Sequence, residues 1–222
     1  MPRPTPIPVR AVADAASLPR RTLYRARRSG LRPPGSRFFP LTVAGAEHLP
    51  LQGPYIIAAN HHNYLDGVVL GLAVPEPISF MVMPRVYRAT PLHPLFHDRI
   101  GSIPLKQTPD VGGLRRALGA LERGAILGIF PEGPFSVRGR LERGLQGVAL
   151  LALRAGVPVV PAAIQGTYEA LRGRRFYLPR RHPVTVRFGP PRRFNADAQR
   201  GRPARAAVTR RIMDDIAALL SS

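Results

Sequence analysis

The chain contains no cysteine. That absence removes disulfides, thiol nucleophiles and thiolate metal ligands from consideration, and it is in keeping with a reducing cytoplasm. Acidic residues are also few: 13 Asp and Glu stand against 33 Lys and Arg, a formal net charge of +20. Lysine is almost missing as well, Lys106 being the only one, so nearly all of the positive charge is arginine. A surface of that sign attracts nucleic acid, acidic lipid, acidic carrier proteins or phosphorylated substrates. No stretch reaches the roughly 20 apolar residues of a membrane-spanning helix without an Arg, Asp or Pro inside it. The proline-rich, basic start MPRPTPIPVR is not followed by a signal-type apolar run. The expectation is a protein that is soluble or rests on a membrane surface.

At 222 residues the chain has the length for one sizeable core. Residues 1–35 read as a basic arm, partly helical, with Arg20, Arg21, Arg25, Arg27 and Arg28 grouped around Leu23 and Tyr24. Such a segment is either a solvated helix or a contact with an anionic membrane surface, where each Arg contributes about 1 kcal/mol. From 36 to 195, short apolar runs alternate with helical stretches. FFPLTVAG, YIIAAN, ISFMVM, GAILGIF, VPVVPAAI and VTVRFG read as strands. DGVVLGLAV, DVGGLRRALGALERG and LQGVALLALRAG read as helices, the last ending at Gly156. Near-continuous apolar strands separated by helices predict an α/β sandwich with a largely parallel central sheet flanked by helices. Residues 196–222 read as a terminal helix packed on that domain, with Ala207, Ile212, Ile216 and Leu219 as its anchors.

Open α/β sheets carry their sites at the carboxyl ends of strands. Two such ends are chemically unusual here. YIIAAN runs into His61, His62 and Asp66, and GAILGIF runs into PEGPFSVRGR. The spacing H-x-x-x-x-D would separate two helical side chains by about 500° of rotation. They meet if His61 lies in the turn before the helix and Asp66 in its first turn. A carboxylate on one imidazole nitrogen fixes the tautomer and leaves the other nitrogen as a general base. A capping or core hydrogen bond is the structural alternative, and packing or capping is the expected role of His62. At the second end, Gly133 permits close approach of a ligand, and Arg138, Arg140 and Arg143 offer forks for phosphate or carboxylate.

The two ends together resemble the glycerolipid acyltransferases, the family of 1-acylglycerol-3-phosphate acyltransferase. NHHNYLD (60–66) is similar to its N-H-x-S-x-x-D block and FPEGPFS (130–136) to its F-P-E-G-T-R-S block. GSIPL (101–105) and VPVVPAAI (157–164) resemble the second and fourth blocks, in the same order along the chain. The resemblance implies the glycerol-3-phosphate acyltransferase-like fold and a mechanism without an acyl-enzyme. His61 would be the general base on an acceptor hydroxyl, oriented by Asp66. The acyl donor would be a thioester of coenzyme A or of acyl carrier protein, and no metal or prosthetic group would be needed. Glu132 and Gly133 would help hold the lipid acceptor, and N–H groups at the start of the following helix would face the oxyanion.

Three departures bear on the acceptor. Asn63 stands where the family has serine, Gln107 where its second block has arginine, and Pro134–Phe135 where its third has Thr-Arg. Lys106, Arg138 and Arg85 are candidate substitutes for the missing guanidinium groups. The acceptor therefore stays open between 1-acyl-glycerol-3-phosphate and a phosphate-free hydroxyl compound, with a non-catalytic lipid-binding relative as the third reading. His93, His97 and Asp98 have the spacing of a zinc site but lack H-E-x-x-H and enclose Pro94. Nucleic-acid binding rests on charge alone, with no recognisable module, and is not expected. For membrane contact, Phe135, Leu92 and Phe96 join the arginines of the arm, and the expected location is the cytoplasmic face of a membrane.

Overall fold

The computed structural model describes residues 40–83, 101–106, 110–136, 138–171, 180–194 and 201–222. The arm with Arg20, Arg21, Arg25, Arg27 and Arg28 lies outside these residues, as do Arg85, Leu92, Phe96, the His93–His97–Asp98 group and Gln107.

The chain opens with β1 (Leu41–Ala44) and a 3-10 turn at Ala46–His48, then β2 (Tyr55–Ala59), α1 (Leu65–Ala73) and β3 (Ile78–Val82). A two-residue strand β4 (Ile103–Pro104) precedes α2 (Val111–Glu122), β5 (Ile126–Ile129) and α3 (Gly147–Ala155). The last part comprises β6 (Val159–Gln165), α4 (Thr167–Leu171), β7 (Val184–Phe188) and α5 (Gly201–Leu220). The seven strands form one sheet in the order β1-β7-β6-β2-β5-β3-β4. Every pairing is parallel except β6 with β7. The expected layered α/β domain with a largely parallel sheet is therefore what the chain forms.

Strand periodicity sorts the core. In β2, Ile56 and Ala58 face one way, packed with Leu121 of α2, Leu151 of α3 and Ile212 and Ile216 of α5. Tyr55, Ile57 and Ala59 face the other, against Val69 and Leu70 of α1 and Val186 and Phe188 of β7. Both faces are covered, so β2 is buried throughout, and a polar alternation never appears in its sequence. Gly128 in β5 has a packing reason: a Cβ there would come within 2.4 Å of the Phe80 ring, which lies across the strand. Gly156, left-handed at φ 62°, ends α3 as the sequence indicates.

The terminal helix packs on the domain, but with a different inner face from the one expected. Val208, Thr209, Ile212 and Ile216 are buried, whereas Ala207 is exposed. The strict four-residue spacing of Val208, Ile212 and Ile216 aligns them in one row, which Ala207 cannot join. A forked pair from Arg192 to Asp215 ties the helix to the chain after β7. At its far end, the Gln165 amide donates to the Leu220 carbonyl at 2.9 Å. Among the described residues, no helix is long and apolar enough to cross a membrane.

Candidate active site

The parallel strands β6, β2, β5, β3 and β4 all end at one edge of the sheet, and both unusual strand ends lie side by side there, on β2 and β5. β2 ends in Asn60, whose side chain continues the pairing with β6: its Nδ2 donates to the Ile164 carbonyl at 2.9 Å and its Oδ1 accepts the Ile164 N–H at 2.7 Å. The next residue, His61, is thus delivered from a fixed strand end. Asp66 is the second residue of α1, placed as the spacing requires.

The Nδ1 atom of His61 lies 2.9 Å from Oδ2 of Asp66. A carboxylate only accepts, so Nδ1 carries the proton and Nε2 is left with its lone pair. The same Oδ2 accepts the N–H of His62 at 2.5 Å and of Asn63 at 2.7 Å. One oxygen of a fully buried carboxylate therefore organises the whole turn, while its Oδ1 has no hydrogen bond among the described residues. Asn63 Oδ1 accepts the Leu65 N–H at 3.0 Å, and its amide also donates to the Thr167 carbonyl at 2.7 Å. The N–H groups of His62, Asn63, Leu65 and Asp66 are all engaged in this turn.

The loop after β5 acts on His61 through its backbone. Glu132 accepts the His61 N–H at 2.7 Å through Oε1 and the Glu142 N–H at 2.7 Å through Oε2. Ser136 N–H donates to the His61 carbonyl at 2.8 Å. The peptide of His61 is held on both sides by one loop. Burial pushes the Glu132 carboxyl above its usual range, and the amides of Glu142 and His61 pull it back. Gly133 has φ 81°, and a Cβ there would meet Leu145 at 2.8 Å, so its requirement for glycine is conformational.

Sequence reasoning missed the aromatic walls. Phe130 stacks on the His61 ring with centroids 3.7 Å apart, and Phe80 stacks behind Phe130 at 5.9 Å. Phe135 meets the His61 ring edge-on at 4.5 Å and Tyr64 at 4.7 Å. Phe130 was legible only as a strand-ending residue; nothing in its spacing announces a partner. His62 packs as expected, its ring edge-on to Tyr168 at 5.9 Å. Its Nδ1 is buried without a hydrogen bond among the described residues, and desolvation holds the ring below its ordinary titration range.

The candidate phosphate ligands stand further out. Lys106 and Arg138 are exposed, and neither side chain makes a hydrogen bond or ion pair with the described residues. Lys106 follows β4, three strand intervals from β2, or about 14 Å along the same edge. Its backbone N–H bonds Asp110, the N-cap of α2, whose carboxyl the Lys106 and Gly113 amides hold below the usual range.

A layered α/β domain with a buried His–Asp pair at a central strand end, locked from the neighbouring loop, defines the class. The Acyltransferase family model matches residues 40–165, more than half of the chain, and the protein belongs to that family. It is 31% identical over 134 residues to a chloroplastic 1-acyl-sn-glycerol-3-phosphate acyltransferase of Brassica napus, a match covering 59% of this chain and 38% of that protein. A 1-acyl-sn-glycerol-3-phosphate acyltransferase of Limnanthes alba is 30% identical over 162 residues, covering 68% of this chain and 54% of that one. The chain thus spans between about a third and about half of the length of these relatives. Among solved structures, the 1-acyl-sn-glycerophosphate acyltransferase PlsC of Thermotoga maritima superposes with a TM-score of 0.69 at 22% identity, covering 91% of this chain and 82% of that one. That likeness shows the shared fold.

Proposed function

We propose that the protein is an O-acyltransferase that moves a fatty acyl chain from an acyl-CoA or acyl carrier protein thioester to a lipid hydroxyl in phospholipid biosynthesis. The observation that carries this reading is the buried His61–Asp66 pair at 2.9 Å, with Nε2 left as the base. Nε2 takes the proton of the acceptor hydroxyl as its oxygen attacks the thioester carbonyl. The tetrahedral intermediate then expels the thiolate, which is protonated as the free thiol. Asp66 holds the ring and offsets the imidazolium charge during the attack. His61 and Asp66 need no metal or prosthetic group for these steps. The names of the relatives make 1-acyl-glycerol-3-phosphate the first acceptor to try, with Lys106, Arg138 and Arg85 as candidate ligands for its phosphate. The reaction joins two amphiphiles, so the enzyme works as a peripheral protein on the cytoplasmic face of a membrane, with the arginines of residues 20–28 as one contact.

The test is thiol release from palmitoyl-CoA with lysophosphatidic acid. His61→Ala should lower turnover by about 10²–10⁴-fold in a protein that circular dichroism shows still folded; activity near wild type would refute the base assignment. A second reading, a phosphate-free acceptor, is favoured by one observation: Phe135, an uncharged ring, abuts the base itself. Under that reading phosphate-free hydroxyl lipids outcompete lysophosphatidic acid, and Phe135→Arg shifts the preference toward the phosphate-bearing acceptor. If Phe135→Arg leaves the ratio of the two kcat/KM values unchanged, Phe135 does not select the acceptor.

A further inference from the structure

We propose that a row of three near-parallel rings, admitted to the sheet by Gly128, fixes the plane of the His61 imidazole, so that Phe130 and Phe80 are positioning residues of the site. Asp66 holds that ring at one atom, Nδ1. A single hydrogen bond leaves a ring free to turn about the line of the bond, and the torsion that rotates a histidine ring is broad. Glu132 and Ser136 fix the His61 peptide and act ahead of that torsion. The direction of Nε2 therefore needs a further constraint, one that works on the face of the ring. Phe130 provides it, with its centroid 3.7 Å from that of His61 and the two planes 5° apart. Phe80 lies parallel to Phe130 in turn, at 5.9 Å and 8°.

The row follows the repeat of the sheet. His61 follows β2, Phe130 follows β5 and Phe80 belongs to β3, which are neighbours in the order β2-β5-β3. The two centroid spacings bracket the strand interval of about 4.8 Å, so each strand contributes one ring. Gly128 makes the room. It stands two residues before Phe130 and so faces the same side of β5, and Phe80 is the residue opposite it on β3. A Cβ on Gly128 would lie 2.4 Å from Cε1 and 2.6 Å from Cδ1 of Phe80, so the ring occupies the place of the missing side chain. The backbone at Gly128 is not left-handed and does not itself require glycine. Glycine inside a strand weakens it, and here it accommodates a ring. Packing for volume does not demand parallel planes: Phe135 meets the same imidazole edge-on, at 72°. The flat face has a second effect under the acyl-transfer reading, on which the expected loss of turnover rests. His61 becomes an imidazolium as it takes the acceptor proton, and the negative face of Phe130 attracts that charge.

The test follows the His61 ring by NMR in the full chain labelled at histidine, its signals assigned by their loss in His61→Ala. Thiol release from palmitoyl-CoA with lysophosphatidic acid is measured beside it. Carbon-bound protons above an aromatic face are shifted upfield. Phe130→Leu keeps apolar bulk and removes the face, so the His61 signals should move downfield and kcat should fall about tenfold with KM little changed. Phe130→Tyr keeps the face and should recover the shift and most of the lost turnover. Gly128→Ala leaves all three rings in the chain and displaces Phe80 alone. It should move the His61 signals part of the way and lower kcat less than Phe130→Leu does, and it decides the question if Phe130→Leu does not fold. His61 signals that are the same in wild type and Phe130→Leu, or unmoved in Gly128→Ala, would overturn the row. Turnover in Phe130→Tyr as low as in Phe130→Leu would overturn it too, since bulk and not the face would then matter. So would a raised KM at unchanged kcat, the mark of a ring that touches substrate. The two readings fail separately. If wild type releases no thiol with any acceptor while the His61 signals respond as stated, the acyl-transfer reading fails and the row stands. If thiol release depends on His61 while its signals ignore Phe130 and Gly128, the row alone fails.

Discussion

The two strand ends that build the site both use a buried carboxylate to collect backbone N–H groups, and they use it in opposite ways. Asp66 takes its partners from its own turn: His61, His62 and Asn63 are all within five residues. Glu132 takes its two partners from 71 residues back and 10 residues ahead. Asp66 crowds three donors onto one oxygen and leaves the other without a hydrogen bond among the described residues, whereas Glu132 spends both oxygens. Under the proposed acyl-transfer mechanism the first carboxylate serves the base and needs one oxygen plus its charge. The second touches only main chain and needs both oxygens. Position along the chain separates a group that tunes a base from a group that fixes the frame around it.

Paired amide substitutions sharpen that contrast. Asp66→Asn keeps an oxygen for the three donors and places its NH₂ at the site of the unpartnered Oδ1, so stability should change little. The negative charge facing the imidazolium is lost, and kcat should fall by about 10²-fold or more. A large loss of stability with modest loss of kcat would reverse the roles assigned here. Glu132→Gln does the opposite, since its NH₂ must face the N–H of His61 or of Glu142. Urea denaturation should show a loss of about 1–3 kcal/mol for the buried donor left unsatisfied. Turnover should fall only about as far as the displaced His61 backbone dictates, on the order of tenfold, with KM near wild type. A raised KM at unchanged stability would return Glu132 to the acceptor-holding role that its sequence position suggests.

The smallest effect concerns His62, the neighbour that packs and does not react. Burial lowers its titration below the ordinary value of 6.5. The unfolded chain then binds more protons than the folded one, so this contribution to stability is present above pH 6.5 and is lost as pH falls toward the folded value. His62→Phe, which keeps the edge contact with Tyr168, should flatten the stability profile below that pH. An unchanged profile would place the acid sensitivity elsewhere.

Much of this was legible in the sequence, and the exceptions are instructive. The apolar runs of β2, β5 and β6 announce buried strands because both faces are covered, and the interval from His61 to Asp66 is itself a geometric constraint. β4 was invisible as a strand because two residues, Ile103 and Pro104, carry no period. The inner row of α5 was misphased because Ala207 and Val208 are both apolar and only packing chooses between them. The partners of Glu132 are amide groups, which every residue type shares, so no letter in the sequence marks them. The stack of Phe130 on His61 joins two strands that are neighbours in space and far apart in sequence, with β3 and β4 between them in the chain.

The clamp on the His61 peptide also orders events during synthesis. The His–Asp pair is local and is complete once residue 66 has emerged, but Glu132 and Ser136, which fix its backbone, follow much later in the chain. The strand that brings them, β5, inserts between β2 and β3 after both have been made. Long-range closure of this kind comes late in folding. A half-made chain therefore holds the His–Asp pair without its frame, and the proposed base is positioned only together with the finished tertiary structure.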